Sequence, residues 1–126
     1  MNINHQFLFK SAAIFNLGAG LLLFFAPGIF ENWLGLSLTS TAALFVRVTS
    51  AAIIGFGGIY WLIGNDPVRF RPLILFGFYL KIIVVLLFYS YWLSGAIQWQ
   101  LPVIALGDIV YSLLFFLYYH NTKSPS

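Results

Sequence analysis

The sequence predicts an all-α membrane protein, a bundle of four antiparallel transmembrane helices with a short interfacial helix in the first loop. Three observations carry that reading. First, the 126 residues are 61% hydrophobic and only 7% charged, where a soluble domain carries about 25% charged residues. A domain this small leaves a large share of its surface in water, so a soluble core could not hide so much apolar surface. Second, the apolar residues gather into four stretches of about 20, the length a helix needs to cross hydrocarbon. Third, of the tails and connecting segments, only alternate ones carry Lys or Arg.

The first span is expected over 7–25, stopping at Ala26-Pro27-Gly28. Its apolar run exceeds the usual 7–15-residue core of a signal peptide, so it reads as a retained helix. Residues 29–36 mix Ile29, Phe30 and Leu34 with Glu31, Asn32 and Trp33. Tryptophan favours the membrane–water boundary, which suggests the interfacial helix there. The second span is expected over 41–63, capped by Thr39 or Ser40 and ended by Gly64-Asn65-Asp66-Pro67. The third follows Arg69-Phe70-Arg71-Pro72 and covers 73–93. The fourth covers 102–119, with Pro102 suited to its first turn. Connections this short demand antiparallel neighbours, and residues 120–126 form a polar tail. The whole is one domain.

Lys10, Arg69, Arg71 and Lys123 all fall on one side of such a bundle, and the first and third loops carry no Lys or Arg. The positive-inside bias therefore predicts cytoplasmic termini in a bacterial-type inner (plasma) membrane. The same composition excludes disorder. A net charge of +3, scattered along the chain, supplies no patch for nucleic acid. With no Cys, thiol chemistry and thiolate metal sites are excluded. His5 and His120 fall at the boundary, where solvated anchors are expected rather than metal ligands. Tyr89, Tyr91, Trp92, Trp99, Tyr118 and Tyr119 read as boundary anchors.

The informative residues are the polar ones inside the spans: Asn16, Arg47, Lys81 and Asp108. Estimates for an ionised side chain at the centre of a helix begin at about 2.5–3.5 kcal/mol, so such residues turn into the bundle and often mark a site. At about 1.5 Å per residue, Arg47 and Asp108 each lie about 9 Å below the outer face, which makes an Arg47–Asp108 pair the expectation. Lys81 comes near the midplane, about 13 Å from the inner face, within reach of Asp108. Small residues allow close approach of helices. Ala12, Ala13, Ala19 and Gly20 share a face with Asn16, and Ser50, Ala51, Ile54 and Gly58 share one with Arg47. Tyr111 and Ser112 share the face of Asp108, whereas the face around Lys81 is more apolar and marks an inward stripe less clearly. The glycines of 18–20 and 55–58 read as packing positions. Two cations and one anion leave a positive charge over. Either that charge is shed or an anionic or carbonyl-bearing ligand sits near Arg47 and Lys81, with hydrogen bonds from Tyr111 and Ser112. A structural ion pair and an interhelical hydrogen bond from Asn16 remain the competing readings.

An Arg opening a Gly-rich second span, from Arg47 through Gly55, Gly57 and Gly58 to Tyr60, and then Pro102 leading to Asp108 and Tyr111, resembles the DoxX-like superfamily of small membrane proteins. That resemblance implies a four-helix bundle and includes members linked to quinone-coupled oxidation and to redox maturation. The lack of Cys argues against a thiol role.

Enzyme templates are missing: there is no phosphate loop, helical His-Glu pair, nucleophile elbow or paired buried carboxylates. The sequence therefore leans away from an enzyme. Its first reading is a small integral membrane protein that binds the polar or anionic head of a quinone- or lipid-like molecule through Arg47, Lys81 and Asp108, aided by Asn16, Tyr111 and Ser112. No cofactor is required by the residues, and no metal site is expected. The alternatives are an accessory subunit of a larger membrane complex, then a membrane enzyme or proton-coupled transporter. Membrane lipids are the expected partners, with a homo-oligomer or a larger complex as the assembled form.

Overall fold

A computed structural model describes residues 4–122 and is all-helical over that range. Lys123, counted in the charge bias, and the rest of the expected tail beyond Thr122 lie outside the described residues. Helix α1 spans His5–Phe25, α2 Pro27–Leu34, α3 Ser40–Asn65, α4 Arg71–Leu93 and α5 Gln100–Asn121. All but α2 are long and apolar enough to cross a membrane.

Local chemistry sets the helix ends. The Asn4 side chain accepts from the backbone N–H groups of Gln6 and Phe7, at 3.0 and 3.3 Å, and opens α1. Pro27 begins α2, where its missing N–H is not needed. Gly35 ends α2 at φ 68°, a left-handed conformation that favours glycine. Of the two residues expected to cap α3, Thr39 does so, its hydroxyl accepting from the Ala42 N–H at 3.1 Å. Pro72 lies in the first turn of α4 and Pro102 in the first turn of α5.

The four long helices group as two pairs, α1 with α3 and α4 with α5, which meet each other much less extensively. Within the first pair the backbones run close together. A Cβ on Gly20 would lie 2.6 Å from Ile54 Cγ1 and 3.1 Å from the Ser50 carbonyl oxygen, and one on Gly57 would lie 2.8 Å from Leu17 Cγ. Only a residue without a side chain fits such an approach. Gly18, Gly55 and Gly58, expected to pack likewise, face open space.

The starts of α1 and α4 lie with the ends of α3 and α5. Lys10 Nζ sits 4.5 Å from the centre of the Trp61 ring, and the Arg71 guanidinium 3.8 Å from that of Tyr119. Arg71 also donates to the carbonyls of Tyr119 and Thr122, which fastens the end of α5 to the start of α4. At this terminal end the two pairs close on a core of Leu8, Phe9, Ala12, Ala13, Tyr60, Ile63, Ile74 and Phe115. The rings of Phe9 and Phe115 stack at 5.0 Å, and Tyr60 meets Phe115 edge-on at 5.2 Å. At the opposite end, α2 is tied to the start of α5. Gln100 Nε2 donates to the Trp33 carbonyl at 3.3 Å, and the rings of Trp33 and Trp99 meet at 6.4 Å.

Candidate functional site

Between the terminal core and α2 the helix pairs leave a partly open cavity of about 640 Å³, within the range of about 300–1,000 Å³ that small-molecule sites occupy. Its walls are overwhelmingly apolar, with contributions from all five helices. Its charged lining residues are Lys81, Asp108 and Glu31. The first two lie on the middle stretches of α4 and α5, towards the terminal core, and Glu31 belongs to α2.

The floor is built from three helices. Lys81 of α4 is only 5% exposed, and its Nζ lies 2.6 Å from Asp108 Oδ1 on α5. It donates a second hydrogen bond to Asn16 Oδ1 on α1 at 3.3 Å. The Asn16 amide in turn donates to the Ile53 carbonyl on α3, also at 3.3 Å. Asn16 thereby supplies an acceptor to the ammonium and a donor to α3, using both ends of its side chain. Three rings surround the ammonium: Tyr60, Phe15 and Tyr111, with centres 5.3, 5.7 and 5.8 Å from Nζ. At such distances the ring faces favour a cation. This is the only ion pair among the described residues. The second oxygen of Asp108 and the hydroxyl of Tyr60, both belonging to residues that line the cavity, have no hydrogen-bond partner among the described residues. The floor thus presents an acceptor and a donor besides the ammonium.

The sequence placed Asn16, Lys81 and Asp108 in one site, and the structure brings those residues together. The inward face of α1 also includes Ala12, Ala13 and Gly20, as expected. Arg47 departs from expectation. It is exposed, does not line the cavity and does not pair with Asp108. Its Nε donates instead to the Phe24 carbonyl at 3.3 Å, near the end of α1. The buried face of α3 runs through Ser50, Gly57, Tyr60, Ile63 and Gly64, so the helix is rotated away from the face the sequence suggested. Ala51 and Gly58, assigned to the inward face, are exposed. Lys81, on the face that looked less inward, is the cation that turns in. Ser112 is fully buried but bonds the Ile109 carbonyl of its own helix at 2.9 Å and lies outside the cavity. Tyr111 offers its ring to Lys81, while its hydroxyl donates to Ser11 Oγ at 3.0 Å.

Tyr60, Phe15 and Glu31 were not singled out as site residues. Tyr60 falls ten residues after buried Ser50 on the α3 face, a spacing that small residues at 50 and 57 could have flagged. Phe15 and Glu31 carry no comparable signal, because their roles come from how the helices are placed around the cavity.

No protein-family model, curated protein or solved structure matches this chain.

Proposed function

We propose that this is a multi-pass membrane protein of four antiparallel spans that holds an amphiphile, a quinone- or lipid-like molecule, with its polar head on the Lys81–Asp108–Asn16 floor and its apolar part along the cavity walls. One observation carries this reading: an apolar cavity of useful size is lined by Lys81, Asp108, Asn16 and Tyr60, of which Asp108 keeps an oxygen and Tyr60 a hydroxyl without a hydrogen-bond partner among the described residues. Side chains such as Phe7, Phe25, Leu86 and Leu93 are more than half exposed on the long helices, a surface suited to acyl chains. The charge bias of Lys10, Arg69 and Arg71 supports cytoplasmic termini in an inner membrane.

The test is extraction in a mild detergent followed by mass spectrometry of co-purifying small molecules. Wild type is expected to retain an amphiphile, and Asp108→Asn to lose it by about tenfold, the effect of about 1.4 kcal/mol at the head. An unchanged profile in the variant would remove the floor from any role in binding.

A second reading, an accessory subunit whose charges serve packing, draws on one observation: Lys81 and Asp108 already satisfy each other and join α4 to α5. Native mass measurement separates the two. Co-migration with fixed partner proteins favours the subunit, and a lone chain or homo-oligomer with bound amphiphile favours the binding protein.

A further inference from the structure

We infer that the cavity selects lipids whose head is uncharged and bears a carbonyl or hydroxyl group, and that such lipids reach it sideways, through a gap between α3 and α4. This inference rests on the binding role proposed above and adds the charge class of the ligand and its route.

With Arg47 in the site, two cations would meet one anion and leave a positive charge over. In the structure Arg47 is outside, and Asp108 takes the charge of Lys81 at 2.6 Å. Glu31 then adds a carboxylate to the same lining, with no ion pair or hydrogen bond from its side chain among the described residues. The lining residues thus carry one formal positive and two formal negative charges. A phosphate or carboxylate head would meet repulsion in a low-dielectric setting, without a free cation to bind it. An uncharged carbonyl can accept from the Tyr60 hydroxyl or Lys81, and a hydroxyl can also donate to the unused Asp108 oxygen.

Thr49 and Ala52 on α3, and Leu80 and Leu87 on α4, line the cavity and are exposed. Towards the terminal end the same two helices are closed by Tyr60 against Gly77, where an added Cβ would come 2.8 Å from the ring. The gap therefore lies on the α2 side of that contact. Its borders are uncharged, so a charged head passing there would be stripped of water with nothing to compensate it. A carbonyl or hydroxyl head loses far less, and its tail can stay in the acyl phase.

The experiment uses the full chain in lipid nanodiscs and photoreactive probes of matched chain length: a hexadecanol, a benzoquinone bearing the same alkyl chain, and hexadecyl phosphate. Each is cross-linked and the labelled residues are mapped by mass spectrometry. The inference expects the alcohol, the quinone or both to label cavity residues at least about tenfold more than the phosphate. Which of the two labels better identifies the source of the head. Equal or stronger labelling by the phosphate overturns the charge selection while leaving the binding role standing. No cavity labelling by any probe overturns the binding role itself. Glu31→Gln should raise phosphate labelling, and no change would remove Glu31 from the selection. Ala52→Trp, at an exposed position, should depress labelling by the favoured probe, with Leu87→Trp as an independent block. Full labelling in both variants, with helical content retained, overturns the route.

Discussion

The two ends of this molecule are made from the same four helices and similar side chains, yet one is filled and the other is hollow. At the terminal end Phe9, Tyr60 and Phe115 interlock, and small residues at Ala12 and Ala13 let the pairs close. Towards α2 the lining residues are just as apolar, but the pairs leave a partly open cavity. Hydrophobicity cannot explain the difference, because both regions are lined by apolar side chains. Close packing is what differs. The ion pair marks the border between the two regions, with core on one side and cavity on the other.

The largest expected effect breaks that border. Lys81→Met leaves the Asp108 carboxylate unpaired and should lower stability by about 3–5 kcal/mol, the usual loss when one member of a buried pair is removed. Unfolding titrations in mixed micelles measure it. Adding Asp108→Leu should restore most of the loss, and failure to recover would mean that the floor holds the helices by more than mutual charge. Next comes a paired comparison of the two regions. Phe115→Ala should cost about 3–5 kcal/mol, as deletion of a large buried side chain does. Phe88→Ala, which only enlarges a cavity that already exists, should cost much less in the same titration. Equal losses would erase the distinction between filled and hollow ends. The smallest effect belongs to Arg47→Ala, which removes an exposed hydrogen bond to Phe24 and should change stability by about 1 kcal/mol or less. It should leave the amphiphile bound, as read by the same co-purification, and a lost ligand would return Arg47 to the site.

The contrast between Arg47 and Lys81 also shows how far the sequence reaches. Helical character and four membrane-length stretches follow from composition and from breakers such as Pro27, Gly64 and Pro67, so they were legible in advance. Asn16 was legible because Ala12, Ala13 and Gly20 mark its face as one that another helix approaches. Arg47 was misplaced because depth and rotation are different quantities. Counting residues gives the first at about 1.5 Å each, but the second depends on which neighbour a helix packs against. The close contacts at Gly20 and Gly57 fix that rotation for α3, and they turn Tyr60 inward and Arg47 to the side. Lys81 looked less inward because its neighbours are apolar, yet rings such as Tyr60 and Phe15 belong to other helices and left no trace near it in the sequence. The cavity itself was not legible, since it is a property of the spaces between helices.

The bond from Gln100 to the Trp33 carbonyl has a mechanical consequence. It couples the roof of the chamber to the rod that carries Asp108, about 12 Å further along at the helical rise. Raising α2 therefore means breaking that bond or shifting the first turn of the helix that carries Asp108.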